Sequence, residues 1–412
     1  MFRRLPLRRW LIRCMLAFFA LQLFVIGTIV LSDSWRKRFH AQGHFLHSHP
    51  REPVQIGTSQ VQLYTYGQDL YAAMLDEIRH AKHRIFFETF IWKDDEVGQK
   101  FKQALISAAQ RGVEVYIIFD SFANLVVPHD FKQFPSSLHV WKYPIISWPL
   151  RPLQLRTYAR DHRKMLVVDS YTAFVGGYNV GEAYATQWRD THMRLSGSAA
   201  IELELVFVDM WNLYSARQQP KLRDGGLRAW DSRINIYRND PQMVIFPIRA
   251  VYLEAIERAQ KHIYMTQAYF IPDRIVLRAL LDAAERGVDV RILLPATSNH
   301  VIADWLARGF YSRCLKKGVR LFLYQNAMIH AKTATIDGIW TTVGTTNIDR
   351  LSLVGNFEVN AEVYDKTVAQ QMEEIFLNDA TNAHELTLAE WESRLVLKKF
   401  AEFVLLPLRP LL

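Results

Sequence analysis

Two segments of the chain carry the same pattern and decide the fold: Ile78–Asp120, IRHAKHRIFFETFIWKDDEVGQKFKQALISAAQRGVEVYIIFD, and Ile256–Pro295, IERAQKHIYMTQAYFIPDRIVLRALLDAAERGVDVRILLP. Each begins at a helix end and continues into an apolar strand, a helix and a second apolar strand. Both helices end in matching AAxRGV turns, typical of a helix C-cap. Apolar strands separated by helices predict a mostly parallel sheet flanked by helices. The chain therefore contains two similar α/β lobes, and the repeat is too long for a solenoid.

A second pattern, H-x-K-x4-D-x6-G-x-x-N, occurs once in each lobe. A carboxylate follows each histidine at the same distance, in WRDTH and in NFE. One such His–Lys pair is an ordinary surface feature in a chain with 14 histidines, but two long matching copies indicate a duplicated site. The residues are His162, Lys164, Asp169, Gly176, Asn179 and Asp190 in the first copy, and His330, Lys332, Asp337, Gly344, Asn347 and Glu358 in the second.

The spacing of this motif has a physical meaning. Histidine and lysine two residues apart on a strand point to the same face, so an imidazole and an ammonium reach one pocket. The following Asp-Ser or Asp-Gly makes a turn, and a second strand returns to a small-residue loop. At Gly177 and Thr345 this loop lets the backbone approach an anion, and Asn179 and Asn347 add side-chain donors. Two facing lobes would supply a pair of each group for a phosphate.

The composition excludes several classes of protein. Half of the 412 residues are hydrophobic and 22% are charged, which is typical of a globular chain with a large core and not of a disordered one. Cys14 and Cys314 lie far apart, so we expect neither a disulfide framework nor a cysteine metal site. The net charge of +9 indicates anionic partners, without separating nucleic acid from an anionic membrane.

The N-terminus favours a membrane. From Cys14 to Ser32 no residue is charged, and nineteen residues at helical rise span a hydrocarbon core. A cleaved signal peptide is the alternative, but the run exceeds an ordinary apolar region and no small-x-small cleavage site follows. We therefore predict a single membrane anchor. Five arginines before the run and three cations after it weakly favour an inside N-terminus.

The C-terminus, from Trp391 to Leu412, combines apolar residues with Lys398, Lys399 and Arg409. This pattern suits an interfacial helix, and a last helix packed on the core is the alternative. Another stretch, Val126–Leu155, is rich in proline and aromatic residues and is interpreted as a long loop. The predicted division is an anchor (1–35), a juxtamembrane connector (36–57), a first lobe (58–216), a linker (217–226), a second lobe (227–390) and an amphipathic tail (391–412).

The duplicated motif resembles the phospholipase D superfamily. The strings ETFIW, RDHRKMLVVD, GGYN, WRDTHMRLSG, AYFIPD, MIHAKT and VGTTNID are similar specifically to bacterial cardiolipin synthases. The resemblance covers about residues 58–412. Gly177 and Thr345 occupy a loop position that often holds serine in this family, so Gly177 departs from the pattern more than Thr345 does.

The resemblance implies a two-step displacement at phosphorus through a phosphohistidine, without metal or other cofactor. His162 would be the nucleophile and His330 the general acid and base, while the lysines and asparagines hold the nonbridging oxygens. Glu358 would orient His162, and Asp190 would orient His330. Two further motif members are counted with the catalytic residues but are expected at the turn with a structural role; they are Asp169 and Asp337.

The leading hypothesis is transfer of a phosphatidyl group between two phosphatidylglycerols, which yields cardiolipin and glycerol. A phospholipase D that makes phosphatidic acid, a nuclease of the same superfamily and a non-catalytic lipid-binding protein are the alternatives. We expect phospholipid substrates and a membrane as partners, but no nucleic acid and no obligate protein partner. The predicted location is the bacterial inner membrane. The membrane face stays open, because the arginine bias favours an external catalytic part and the resemblance implies a cytoplasmic one.

Overall fold

The computed structural model describes residues 5–39, 45–146, 154–223 and 232–411. Within them the chain forms two α/β lobes, each built on an eight-stranded mixed sheet. The first sheet contains β1 Val54–Ile56, β2 Ser59–Tyr64, β3 Arg84–Thr89, β4 Glu114–Asp120, β5 His139–Tyr143, β6 Met165–Val168, β7 Thr172–Gly176 and β9 His192–Gly197, in the order β1-β2-β9-β7-β6-β3-β4-β5.

The second sheet repeats this arrangement. Its strands are β10 Ile234–Asn239, β11 His262–Gln267, β13 Asp289–Pro295, β14 Arg320–Tyr324, β16 Lys332–Ile336, β17 Trp340–Gly344, β19 Glu358–Tyr364 and β20 Ala383–Leu386, in the order β10-β19-β17-β16-β11-β13-β14-β20. Two short pairs complete the strands: β12 Phe270–Ile271 with β18 Ile348–Asp349, and β8 Trp188–Arg189 with β15 Met328–Ile329.

The helices follow the predicted strand-helix-strand order. They are α1 Leu5–Phe39, α2 Gly67–His80, α3 Glu96–Gln110, α4 Glu182–Thr186, α5 Ser198–Tyr214, α6 Pro247–Arg258, α7 Arg274–Glu285, α8 Val301–Lys316, α9 Arg350–Val354, α10 Lys366–Thr381, α11 Leu388–Ser393 and α12 Val396–Leu405, with 3₁₀ helices at Leu155–Tyr158 and Leu406–Leu411.

The prediction of two α/β lobes with mixed sheets flanked by helices is confirmed, but the expectation that each sheet is mostly parallel is wrong. Among the described strands, each eight-stranded sheet has five antiparallel and two parallel neighbour pairs. Within the eight-stranded sheets only β3-β4-β5 and β11-β13-β14 run parallel. Helices join β3 to β4, β11 to β13 and β13 to β14, and the long segment 121–138 joins β4 to β5. Strand β6 directly follows Lys164 and β16 begins at Lys332. Both turn back through tight connections, and a tight turn joins antiparallel strands.

The matching helix ends of the repeat are confirmed. Gly112 and Gly287 both have φ +92°, the left-handed conformation that terminates a helix and that glycine adopts without steric cost. The arginine before each glycine reaches back to the helix at the start of the repeat. Arg111 donates to the carbonyl of Ile78 (3.0 Å), and Arg286 donates to that of Ile256 (3.2 Å).

A buried apolar cluster joins the two lobes. It contains Phe207 and Trp211 of α5 in the first lobe together with Val359 and Ala361 of β19 in the second. Val175 of β7 and Val343 of β17, on the strands that lead into the two motif loops, also belong to this cluster, so its packing sets the position of one lobe's motif against the other.

Helix α1 is long and apolar enough, from Arg9 to Arg36, to cross a membrane by length and composition. Its second half packs on the second lobe, where Val25 is buried and Gln22 Nε2 donates to the carbonyl of Val404 in α12 (3.0 Å). Helix α12 buries Val404 and leaves Phe403 64% exposed, so one face packs on the protein and the other is apolar and open.

Several domain boundaries fall on or beside residues that are not described. Residues 40–44 of the connector and 224–226 of the linker lie outside the described part, as do 147–153 of the predicted loop. Strand β1, Val54–Ile56, lies before residue 58, where the first lobe was predicted to begin. The loop predicted at Val126–Leu155 contains the edge strand β5, His139–Tyr143.

Candidate active site

The two histidines are held by backbone bonds that cross between the lobes. The amide of His162 donates to the carbonyl of Phe357 (3.1 Å), and that of His330 donates to the carbonyl of Arg189 (2.6 Å). Phe357 directly precedes Glu358, as Arg189 precedes Asp190. Each backbone bond therefore brings the carboxylate of one lobe to the histidine of the other.

The side chains complete these cross-lobe pairs as the sequence predicts. Nδ1 of His162 lies 3.0 Å from both carboxyl oxygens of Glu358. Nδ1 of His330 lies 2.7 Å from Oδ2 of Asp190. With Nδ1 bound to an acid, each imidazole keeps Nε2 for a substrate.

Burial keeps both imidazoles neutral. It lowers the pKa of His162 well below its usual value, and the charges of Lys164 and Lys332 lower it further. Burial also lowers the pKa of His330 to about 3, with Lys332 acting in the same direction. Each histidine is affected by the lysines of both lobes, which indicates that the four groups share one site. A neutral imidazole with a free Nε2 is the nucleophilic form.

The two lysines are buried and their charge is only partly compensated. Nζ of Lys164 donates to the carbonyl of His162 (2.5 Å), and Nζ of Lys332 donates to that of His330. Burial lowers the pKa of Lys164 to about 7 and that of Lys332 to about 8. A phosphodiester in this site would restore the positive charge of both lysines, because an anion favours the protonated form.

The acids of the two pairs differ in protonation. Burial raises the pKa of Glu358 to about 8, although Lys164 and Thr345 oppose it. Burial also acts on Asp190, but its hydrogen bond to His330, the charge of Lys332 and the amide of Thr191 outweigh burial and lower the pKa. The site is therefore asymmetric at neutral pH, with Asp190 ionised and Glu358 largely protonated.

The small-residue loops contact the two acids in different ways. The hydroxyl of Thr345 donates to Glu358, and its amide donates to the carbonyl of Val359 (2.9 Å). At Gly177 an added Cβ would lie 2.1 Å from Oδ1 of Asp190, so glycine leaves the space that this carboxylate occupies. Both loop residues thus position the acids, and their predicted contact with phosphate stays a prediction.

The asparagines are buried at the ends of these loops. Oδ1 of Asn179 accepts from the amide of Ile91 (3.1 Å). Nδ2 of Asn347 makes only a long contact with the hydroxyl of Ser352 (3.5 Å), and its Oδ1 has no hydrogen-bond partner among the described residues. The side-chain amide of Asn347 therefore makes weaker hydrogen bonds to the protein than that of Asn179 does. Phosphate binding by both residues stays a prediction.

Asp169 and Asp337 lie at the turns after β6 and β16, with φ of 52° and 54°. Asp169 accepts three backbone amides, from residues 82–84, and Asp337 accepts three from residues 260–262. Each histidine precedes its strand and each aspartate follows it, about 20 Å away at the rise of a strand. Counting them with the catalytic residues is therefore not supported, whereas the turn position expected for them is observed.

Three aromatic residues that sequence reasoning missed surround the histidines. The ring of Phe90 lies 4.8 Å from that of His162, and Trp188 lies 5.3 Å from His330. Tyr269 lies 6.4 Å from His330. Phe90 and Tyr269 both lie just after the first strand of their repeat, in ETFIW and QAYFI, but one position apart in register, so the repeat alone does not pair them.

Two buried ion pairs involve the arginines that adjoin Asp190 and His162 in the sequence. Arg189 forms a two-pronged pair with Asp379 of the second lobe (2.9 and 2.7 Å). Glu88, the acid inside β3, lies 3.7 Å from Arg163 next to His162. Among the described residues, no three His, Cys, Asp or Glu side chains are grouped to hold a metal ion.

Comparison with known proteins agrees with this geometry. The family model described as "Cardiolipin synthase, PLD-like domain" matches residues 74–211 and 252–380, one match in each lobe. The cardiolipin synthase of Clostridium perfringens is 32% identical over 370 residues, which cover 86% of this chain and 77% of the relative. The chain belongs to the cardiolipin synthase family of the phospholipase D superfamily. It is accordingly an enzyme of the phosphatidyltransferase type, and this family implies phospholipid substrates.

Two further comparisons cover nearly the whole length. A cardiolipin synthase of Staphylococcus aureus is 33% identical over 380 residues, 86% of this chain and 74% of the relative. The crystal structure of phosphatidylserine synthase from Haemophilus influenzae superposes with a TM-score of 0.66 at 15% identity, over 88% of this chain and 94% of that one. At this identity the second comparison shows the fold alone.

Proposed function

We propose that this enzyme transfers a phosphatidyl group from one phosphatidylglycerol to a second one through a phosphohistidine, forming cardiolipin and releasing glycerol. One observation carries the proposal. Two neutral histidines, each hydrogen-bonded through Nδ1 to an acid of the opposite lobe, share a buried site with two lysines. This is the set of groups that a double displacement at phosphorus requires.

In the first step, Nε2 of His162 attacks the phosphorus of the donor lipid. The bond between phosphorus and the glycerol oxygen breaks, and His330 gives a proton to that oxygen. In the second step, His330 takes a proton from a headgroup hydroxyl of the acceptor lipid. The resulting oxygen attacks the phosphorus and the bond to His162 breaks, so two phosphatidylglycerols become one cardiolipin and one glycerol.

The unlike acids support these roles. Ionised Asp190 stabilises an imidazolium, which suits His330 as the group that must carry a proton. Glu358 is largely protonated in the empty site, which favours a neutral His162 that can attack. Although His330 is neutral without substrate, the negative phosphodiester raises its pKa when it binds.

The lysines and the aromatic residues supply the remaining requirements. Lys164 and Lys332 would neutralise the nonbridging oxygens while charge redistributes in the transition state, and Asn179 and Asn347 are proposed to add donors. The rings of Phe90, Trp188 and Tyr269 narrow the access of water to the phosphohistidine. This favours transfer to a lipid hydroxyl over hydrolysis.

We also propose that α1 anchors the enzyme in a bacterial inner membrane, with two catalytic lobes, 58–216 and 227–390, joined by a linker at 217–226. The apolar length of α1 and the exposed apolar face of α12 support this placement. A membrane anchor would hold the site against a substrate that is itself part of the bilayer.

The test uses the purified full-length chain in neutral-detergent micelles. The substrate is phosphatidylglycerol that carries the label in the phosphate of its phosphatidyl group. We expect labelled cardiolipin and an equal amount of glycerol. A prolonged reaction quenched in alkali should leave label on His162 of the His330→Ala protein, because phosphohistidine survives base and the variant lacks the base that deprotonates the acceptor lipid in the second step. The matched variant His162→Ala should carry no label.

Phosphatidic acid without cardiolipin would replace the transferase proposal by hydrolysis. Cleavage of DNA without turnover of lipid would replace it by a nuclease. Label on a residue other than His162 would overturn the assignment of the nucleophile.

A further inference from the structure

A cavity of about 1160 Å³ lies in the second lobe, between α7, α8, α9 and the last 3₁₀ helix. Its volume exceeds the roughly 300–1,000 Å³ of ordinary small-molecule pockets. Ile271, Leu277, Leu281 and Phe310 give it an apolar wall. The catalytic histidines and lysines do not line it within the described part of the chain, so it is a separate compartment.

The charge of this cavity is strongly positive. Asp273 is the one acid among the described lining residues, and it is paired with Arg249 (2.5 Å). Arg274 and Arg278 lie one helical turn apart on the exposed face of α7, where Arg278 makes only a long pair with Asp282 (3.6 Å). The arginines that line the cavity are Arg249, Arg274, Arg278, Arg313, Arg350 and Arg409.

The side chain of Arg409 packs closely against Phe310 and Gly309 in the cavity. Its guanidinium lies 4.9 Å from the centre of the Phe310 ring, and its buried Nε has no hydrogen-bond partner among the described residues. An added Cβ at Gly309 would lie 1.1 Å from Nη2 of Arg409, so glycine in α8 leaves the space for this head. Burial lowers the pKa of Arg409; the charge of Glu402 opposes this effect and the like charge of Arg313 adds to it. Repelling guanidiniums in one cavity favour the binding of an anion.

The cavity also lies beside the elements that face the membrane. Helix α8, which supplies Phe310 and Arg313, contacts both α1 and α12. Leu397 and Phe400 of α12 are exposed, and the 3₁₀ helix that carries Arg409 directly follows α12. A ligand with an acidic head and apolar chains can therefore enter from the bilayer.

We propose that this cavity is a second lipid site, which holds an anionic phospholipid with its phosphate among Arg274, Arg278, Arg313 and Arg409 and its acyl chains on the apolar wall. Apolar walls alone would suit any lipid, and the excess of guanidiniums selects an anionic one. Arginine binds phosphate through paired, geometrically matched hydrogen bonds. The site does not depend on which alcohol accepts the phosphatidyl group in the catalytic cleft.

The test counts bound lipids on the full-length His162→Ala protein, which cannot turn them over, by native mass spectrometry from neutral-detergent micelles. With dioleoyl phosphatidylglycerol as the probe, we expect two lipids per chain. Adding Arg274→Ala and Arg278→Ala should leave one, because each arginine near an anionic headgroup contributes roughly fivefold in affinity and the pair about 25-fold. Gly309→Ala, which displaces Arg409 while favouring the helix, should also weaken the second lipid.

The matched control is Arg79→Ala with Arg258→Ala, which removes the same charge from exposed helical positions and should leave two lipids. An unchanged count in the Arg274/Arg278 variant overturns the proposal. Equal binding of dioleoyl phosphatidylcholine, or displacement of the second lipid by millimolar inorganic phosphate, also overturns the assignment to an anionic lipid. If the His162→Ala protein binds one lipid and the variant that also carries Arg274→Ala and Arg278→Ala binds none, the result supports lipid binding in the cavity. It also counts against lipid binding in the catalytic cleft.

Discussion

Replacing Glu358 by glutamine should stabilise the folded protein while it impairs catalysis. Burial raises the pKa of this carboxyl from 4.5 to about 8, so the folded state binds a proton that the unfolded chain has lost at neutral pH. The contribution of the Glu358 carboxyl group to the free energy of unfolding is therefore fully present below about pH 4.5 and is lost as the pH rises toward 8. Glutamine does not titrate, and it retains an oxygen that can accept from Thr345.

The size of the effect follows from the pKa. The difference between 4.5 and pH 7 corresponds to about 3 kcal/mol, which is an upper bound. The charge of Glu358 raises the pKa of Lys164. The substitution therefore disfavours the charged form of this buried lysine, which offsets part of the gain in stability. We expect a net gain of about 1–3 kcal/mol at pH 7–8 and almost none at pH 5.

The assay compares thermal unfolding midpoints of the full-length parent and variant in neutral-detergent micelles at pH 5 and pH 8. Asp190→Asn is the matched comparison, because its carboxyl has a lowered pKa and pairs with His330. It should destabilise the protein at both pH values. Both variants should lose between about 10² and 10⁴ in kcat, since each histidine loses the acid that orients it. The reasoning would be refuted if the difference in unfolding midpoint between the Glu358→Gln variant and the parent protein did not widen from pH 5 to pH 8.

Three further predictions concern the site and its support. His330→Ala should lower cardiolipin formation by at least about 10³-fold, measured as product per minute in micelles, because it removes the general acid and base. Gly177→Ala should lower both kcat and the unfolding midpoint, since the new methyl displaces the buried carboxylate of Asp190 from its histidine. Asp379→Ala should cost about 3–5 kcal/mol of stability, seen as a lower unfolding midpoint, because it leaves Arg189 buried without its partner.

Matched controls separate these effects from general damage. Gly27→Ala adds a methyl where no atom lies within 4 Å and should leave activity unchanged. Asp76→Ala removes an acid from an exposed pair with Arg79 and should change stability by less than about 1 kcal/mol. If Gly177→Ala retained full activity, or if Asp379→Ala cost no more than Asp76→Ala, the roles assigned to these residues would be wrong.

The local repeat was predictable because it depends on neighbours in the chain. Gly112 and Gly287 end helices by conformations that their own sequence allows, and Asp169 and Asp337 make turns for the same reason. The direction of strand pairing was not predictable in this way. Apolar runs in β6 and β16 indicate burial on both faces but do not distinguish a parallel neighbour from an antiparallel one.

The sequence by itself determined that there are two lobes, that each carries a histidine, a lysine and a later acid, and that these belong to one kind of chemistry. Spacing along a strand places side chains on a common face, so these features are local. Only the tertiary structure decided that Glu358 is largely protonated while Asp190 is ionised, that Thr345 binds a carboxyl, and that six arginines from five elements line one cavity. Proton affinity and cavity charge depend on burial and on neighbours brought together through space, which no local pattern of residues records.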